Sequence, residues 1–297
     1  MATYAYEIWD VFASRPFAGN PLAVVWNADD LDTVTMQALA KEFNLAETVF
    51  ISAPTKPECV ARLRIFTPAY EMPYAGHPTV GASIALATRR TLGRDFALEL
   101  NAGVFAINAR PAAAAPGFAA FVNPNLPTVT AEGPDARLIE AALGLADGAV
   151  DSGAHAPRRV GAGVDFLYAK APLDAVRAAR LDTAAFAALG LGETVGVLLY
   201  ADGGDAKDAT FHVRMFAPGA GVPEDPATGS ASAALPGQIA AAGALADGTH
   251  RWIVEQGVEI GRPSRIELDI DAADGAPTRV RVGGEAVRVM TGEMDLS

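Results

Sequence analysis

The sequence contains few of the residues and patterns that mark the specialised classes of protein. Cys59 is the only cysteine among 297 residues, which excludes an intrachain disulfide and a cluster of thiolate metal ligands. The four histidines are not placed at ligand spacing from one another, so the sequence predicts no metal site. No G-x-G-x-x-G motif follows a predicted strand, and there is neither a Walker loop nor a G-x-S-x-G elbow. Nucleotide-binding folds and triad hydrolases therefore have no support.

Positive charge and long apolar runs are also scarce. The chain carries 23 Lys and Arg against 35 Asp and Glu, a net charge of −12, which argues against binding to nucleic acid. An anionic small molecule stays compatible with this charge, because the N-terminus of a helix can bind one locally. The most apolar stretch, residues 231–246, is Ala-rich and a poor membrane span. The N-terminal residues lack the pattern of a signal peptide, so we expect a cytoplasmic protein without a membrane partner.

What is present is an internal repeat. Four residues of the first half recur 150 positions later: Arg64, Phe66, Pro68 and Pro73 match Arg214, Phe216, Pro218 and Pro223. Leu31-Asp32-Thr33, before a predicted helix, recurs at the same offset as Leu181-Asp182-Thr183. Glu47-Thr48-Val49 recurs as Glu193-Thr194-Val195 after a four-residue slip. An offset of half the chain indicates two related domains rather than a solenoid. We place them at residues 1–124 and 125–297, and leave open whether the last strand returns to the first domain.

Each half is predicted to contain strands around one long helix, which is typical of the α+β class. A helix capped by Asp32 or Thr33 is expected to end near Asn44. The first long helix is predicted over 79–90, after Pro78. The second starts near Gly229 and is expected to be interrupted, or kinked, at Pro236-Gly237 after about two turns. Short separate strands are predicted at the end of the chain, at 252–255, 266–270, 279–282 and 286–290.

The junctions between loop and long helix carry the candidate chemistry. In AGHPT, Gly76 allows close backbone approach, and His77 can transfer a proton near neutral pH or, alternatively, only cap the helix. In EDPATGSA, the N–H groups of Gly229, Ser230 and Ala231 open a helix and favour a carboxylate ligand. Asp225 stands ahead of them, where it could equally well cap the turn before Pro226.

Glu47 is a candidate general acid or base, because a carboxyl group beside apolar neighbours can have a raised pKa. The alternative is an exposed glutamate at the start of a strand, which is also the interpretation of Glu193. Two similar domains that carry unlike groups would form one small-molecule site between them, with Glu47 and His77 facing Asp225 and Ser230.

Five segments occur in the order that is typical of one family: FAGNPLAVV, NLAETVF, FTPAYEMPYAGHPT, FAPGAGVPEDPATGSA and VEQGVEIGRPS. From Asp10 to about Glu293 the chain resembles the phenazine-biosynthesis PhzF-like isomerases. The resemblance implies the diaminopimelate-epimerase-like fold, in which two pseudo-symmetric domains each wrap a curved, mostly antiparallel sheet around a central helix. It also implies a homodimer and no cofactor.

By this resemblance Glu47 falls on the family's proton-shuttling glutamate, and His77 and Asp225 on further catalytic positions. The implied substrate-binding set is Gly76, Thr228, Gly229, Ser230 and Ala231. Epimerases of this fold use one cysteine from each half, whereas here Gly76 and Asp225 occupy those regions and exclude a two-thiol racemisation. Ala46 departs from the family, which usually has serine before Glu-Thr.

The sequence therefore predicts an isomerase in which Glu47 moves a proton between carbons of a small carboxylate metabolite. Two alternatives stay open. One is an epimerase with Glu47 and Asp225 as its two bases, and the other is a metabolite-binding protein without turnover.

Overall fold

The computed structural model describes residues 2–90 and 92–296, which group into two compact units. Residues up to Val122 and those from Gly283 onward form the first unit, and Asn123–Val282 form the second. The predicted division into domains at residues 1–124 and 125–297 stays a prediction. Among the described residues, no helix combines the length and the apolar character needed to cross a membrane.

The first unit contains a mixed sheet and a buried helix. Its elements are β1 (Ala2–Val11), β2 (Asn20–Val25), α1 (Thr33–Phe43), β3 (Glu47–Ser52), β4 (Ala61–Phe66), β5 (Glu71–Met72), α2 (Gly76–Arg89), β6 (Asp95–Leu100), β7 (Gly103–Arg110) and β8 (Gly117–Val122). β2 pairs with β3, and β4 with β6, in parallel, whereas the other pairs are antiparallel. Residues 76–87 of α2 are all buried, and the helix packs against β1, β2, β3, β7 and β8. The sheet of this unit thus surrounds a central helix.

The second unit repeats this order of elements after an additional strand and helix, with two short helices where the first unit has α1. Its elements are β9 (Thr128–Glu132), α3 (Ala136–Leu143), β10 (Arg158–Gly161), β11 (Asp165–Lys170), α4 (Leu173–Ala178), α5 (Thr183–Ala187), β12 (Val197–Asp202), β13 (Phe211–Ala217), β14 (Val222–Asp225), α6 (Gly229–Ala241), β15 (Gly248–Gln256), β16 (Ser264–Ala273) and the start of β17 (Ala276–Leu296). β11–β12 and β13–β15 are parallel, as β2–β3 and β4–β6 are, and the intervening pairs are antiparallel. The predicted α+β class is confirmed.

The repeated arginines have a structural role that both units share. Arg64 donates through Nε and Nη2 to both carboxylate oxygens of Glu71, at 2.8 and 2.6 Å. Arg214 donates to Glu224 in the same way, at 2.8 and 2.7 Å. Each guanidinium also lies over the phenylalanine two residues further on, about 5 Å from its ring centre. These bidentate pairs tie β4 to β5 and β13 to β14.

Two predicted interruptions in the second half, one in a helix and one between strands, are not observed. α6 continues through Pro236 to Ala241, because its residues 231–239 are buried and their packing outweighs one lost backbone hydrogen bond. The absence of a side chain at Gly237 permits this packing, since a Cβ there would lie 2.8 Å from Cγ1 of Val160. The last two predicted strands, 279–282 and 286–290, form one continuous strand, β17. Gly283 lies between the two predicted segments, and a Cβ there would lie only 2.6 Å from Cβ of Ala120.

The proposed match of Glu47 with Glu193 is also wrong in register. Thr48 lies opposite Phe66 in the first unit, and Val197 lies opposite Phe216, the repeat mate of Phe66, in the second. The position equivalent to Glu47 is therefore Gly196, whereas Glu193 is exposed on the turn before β12. A Cβ on Gly196 would lie 2.2 Å from the carbonyl oxygen of Phe216. Only the first unit has room for a carboxylate at this position.

Candidate active site

Glu47 is the first residue of β3 and faces the start of the central helix. α1 ends at Asn44, whose left-handed backbone turns the chain into β3. The Glu47 side chain is 16% exposed, and its Oε2 lies 3.4 Å from Nδ1 of His77. The alternative of an exposed glutamate at a strand start is therefore not observed. This half-buried carboxyl group is in contact with the second predicted catalytic residue.

His77 belongs to the first turn of α2 and does not cap it. Ala75 is the N-cap residue, and no side chain caps this helix end. The His77 side chain is only 4% exposed, and burial lowers its pKa to about 3, although the neighbouring Glu47 would favour the charged form. Its Nε2 is buried without a hydrogen-bond partner among the described residues. A neutral imidazole with an unused ring nitrogen can orient or relay a proton for Glu47.

We expect His77 to stay neutral from pH 8 down to about pH 5, because burial disfavours the imidazolium ion. ¹⁵N chemical shifts of the imidazole ring, assigned with His77→Gln, measure its charge directly. Protonation of His77 with a midpoint near 6.5 would contradict the expectation. Since its pKa is lowered in the folded protein, this histidine stabilises the fold fully above pH 6.5 and less as the pH falls towards 3.

Asp225 and Thr228 form the second cluster, at the end of β14 and the start of α6. The Thr228 hydroxyl donates to Oδ2 of Asp225 at 2.5 Å. Gln256, the last residue of β15, bonds both residues through its buried side-chain amide. Asp225 is half-buried and thus stands in an ordered turn, where its carboxylate can accept a further hydrogen bond from a ligand.

The N-terminus of α6 presents backbone donors beside this turn. The first bond within the helix runs from the N–H of Ser232 to the carbonyl of Thr228. The N–H groups of Gly229, Ser230 and Ala231 precede it and have no intrahelical acceptor. Ser230 is half-buried, and Tyr168 donates to the carbonyl of Ala231 at 2.6 Å, which holds this turn in place. Such a turn can bind a carboxylate.

The structure thus brings the predicted residues together in two clusters, one in each unit. Glu47, Gly76 and His77 lie together in the first, and Asp225 and Thr228 to Ala231 in the second. Sequence analysis assigned no role to Gln256 or Tyr168. Gln256 stands within VEQGVEIGRPS, so its segment carried a signal, but its bonding partners are far away in sequence.

Other groups do not form a competing centre. Among the described residues, no three His, Cys, Asp or Glu side chains are arranged to hold a metal ion. Cys59 is buried, and burial raises the pKa of its thiol. It precedes β4, at the opposite end of the β3–β4 pair from Glu47. A groove of about 870 Å³ in the second unit is lined by Glu140 and Arg137, and by none of the predicted site residues.

Comparison with known proteins identifies the family to which the chain is similar. Residues 9–292 match the family described as phenazine biosynthesis-like protein, PhzC-PhzF. An uncharacterised isomerase of Mesorhizobium japonicum is 41% identical over 99% of each chain. Trans-2,3-dihydro-3-hydroxyanthranilate isomerase of Pseudomonas chlororaphis is 36% identical over 95% of this chain and 96% of its own. The crystal structure of a Bacillus anthracis phenazine biosynthesis protein of the PhzF family has a TM-score of 0.88 at 25% identity and covers 100% of both chains.

Proposed function

Because the chain belongs to the phenazine biosynthesis-like family and is an isomerase, we propose that it shifts a proton between carbons of a small carboxylate metabolite without a cofactor. Glu47 takes the proton from one carbon and returns it to another. The observation that carries this role is the contact of its half-buried carboxyl group, at 3.4 Å, with the buried imidazole of His77. A positioned carboxyl group of this kind is a common general acid or base.

The remaining polar groups are proposed to bind and orient the substrate. The N–H groups of Gly229 and Ser230 hold its carboxylate, since the N-terminus of a helix carries about half a positive charge. Asp225 accepts from a polar group of the substrate, and Gly76 leaves space beside His77.

Product analysis with trans-2,3-dihydro-3-hydroxyanthranilate in D₂O tests the reaction type. This compound is the substrate in the name of a relative, and it carries a carboxylate, an amine and a hydroxyl group. Migration of a double bond, seen by NMR, supports the proposed isomerase. Inversion at one carbon in an otherwise unchanged molecule supports the two-base epimerase instead. Tight binding without any change in the compound supports a metabolite-binding protein.

The Ser230 hydroxyl is proposed to donate to the same carboxylate as the N–H groups, so Ser230→Ala is expected to weaken binding of the carboxylate by about 1.5–3 kcal/mol, the range for a hydrogen bond to a charged group. Calorimetry in a Glu47→Gln background, which suppresses turnover, compares the acid with its methyl ester. The ester lacks the charge, so Ser230→Ala is expected to leave the affinity for the ester nearly unchanged. Equal losses for acid and ester would place the carboxylate elsewhere.

A further inference from the structure

The buried side chain of Gln256 connects the two polar residues of the second cluster. Its Oε1 accepts from the backbone N–H of Thr228 at 3.0 Å. Its Nε2 donates to the backbone carbonyl of Asp225 at 2.7 Å and to the Thr228 hydroxyl at 3.0 Å. Gln256 is completely buried, so these bonds are not exchanged with water.

The direction of every hydrogen bond in this network follows from the two backbone groups. A backbone N–H only donates, and a carbonyl oxygen only accepts, so the amide oxygen of Gln256 faces Thr228 and its nitrogen faces Asp225. The opposite orientation would set two donors against each other and two acceptors against each other. The second hydrogen of the Gln256 amide then points at the hydroxyl oxygen of Thr228.

One acceptor in this network remains for the hydroxyl hydrogen of Thr228. Because its oxygen accepts from Gln256, the single hydrogen is donated to Oδ2 of Asp225 at 2.5 Å. A hydrogen bond donated to a carboxylate stabilises the ionised form over the protonated form. Gln256 donates to Thr228 and Thr228 donates to Asp225, and this chain of hydrogen bonds favours a charged and oriented Asp225.

The end of β15 also fixes the backbone of this turn. Gly257, which follows Gln256, has a φ of 75°, and a Cβ there would lie 2.6 Å from the carbonyl oxygen of Pro226. The close approach of the two segments explains why Gln256 can reach both ends of the turn. The backbone of the two segments therefore holds this hydrogen-bond network in place, which contacts between flexible side chains alone would not do.

Most charged groups on the surrounding elements are engaged with one another. Arg214 on β13 pairs with Glu224 on β14. His212 on β13 pairs with Glu255 on β15 and with Glu259 on the following turn. Arg262 stands on the same turn, where its N–H donates to the carbonyl of Gly257. A titration of Asp225 must therefore be read by comparing variants that leave all these groups in place.

We propose that Gln256 and Thr228 are positioning residues that keep Asp225 ionised and aimed as a hydrogen-bond acceptor. The positioning role itself does not depend on the proposed function. Its consequence for the substrate rests on the proposed function. A charged Asp225 fits a substrate that carries an amine or hydroxyl donor in addition to its carboxylate. Thr228 then acts through Asp225 and does not bind the substrate itself.

The test is a pH titration of the Asp225 carboxyl carbon by ¹³C NMR, in protein labelled at aspartate Cγ. Asp225→Asn identifies the resonance. Thr228→Val removes the hydroxyl and keeps the shape, and is expected to raise the midpoint by about one pH unit or more. Thr228→Ser keeps the hydroxyl and is expected to match the parent protein. An unchanged midpoint in Thr228→Val, or an equal shift in Thr228→Ser, would overturn the proposal.

Gln256→Glu gives a second measurement. A carboxylate at this position cannot donate, and it attracts the Thr228 hydroxyl away from Asp225, so the midpoint is expected to rise as in Thr228→Val. If this variant does not fold, the comparison of Thr228→Val with Thr228→Ser tests the proposal alone. The titration needs no turnover, so it stands even if product analysis shows that the chain does not isomerise the tested compound.

Discussion

Glu47→Gln is expected to lower turnover by at least about 100-fold, the lower limit for loss of a general acid or base, with fold and ligand binding retained. The amide has nearly the shape of the carboxyl group but cannot take up the proton. Steady-state rates measure the loss, and the melting temperature shows whether the fold is intact. The contact with His77 at 3.4 Å is the reason to expect a large effect at this residue.

Glu193→Gln is the matched control for this experiment. It makes the same chemical change at the second Glu-Thr-Val segment, where the side chain is exposed on a turn. We expect normal turnover from it, because exposed substitutions away from a site have small effects. Turnover near the parent level in Glu47→Gln would remove this residue from the mechanism, whatever the control shows.

His212→Ala is expected to lower the free energy of unfolding by about 3 kcal/mol, the lower end of the range for breaking a buried ion pair. His212 is completely buried, with Nδ1 2.8 Å from Glu255 and Nε2 2.8 Å from Glu259. Its removal leaves two carboxylates without their shared partner. Urea unfolding at pH 6 measures the change.

His250→Ala is the control, since that histidine is more exposed and its Nε2 bonds only one carbonyl, of Ala246. Equal losses in the two variants would show that the ion pairs of His212 contribute nothing. Burial acts to lower the pKa of His212, but its hydrogen bonds to Glu259 and Glu255 outweigh burial and raise it. The stabilisation is therefore complete below pH 6.5 and is lost as the pH rises through the raised pKa.

Features that depend on neighbouring residues were predictable from the sequence. Asp32 caps α1 by accepting from the N–H of Thr35, and Asp182 caps α5 in the same way. The second central helix starts at Gly229, as predicted, whereas the first starts at Gly76, three residues before the predicted start at residue 79. These signals are local, because a cap involves residues at most four apart.

Features that depend on distant packing were not predictable. Pro236 normally ends a helix, and only the burial of α6 in its sheet explains why this helix continues. Gln256 bonds residues that lie 28 and 31 positions earlier. Nothing in its own segment indicates these partners, so its place beside Asp225 became visible only in the folded chain. Glu47 and His77 were predictable because their motifs mark them, although their contact spans 30 residues.

The glycine at position 196 has a consequence for how this chain can evolve. A side chain there would meet the carbonyl oxygen of Phe216 at 2.2 Å, and a backbone atom cannot turn away as a flexible side chain can. A single substitution therefore cannot give the second half a copy of the Glu47 side chain. The two halves therefore stay unlike at this position as long as the pairing of β12 with β13 is kept.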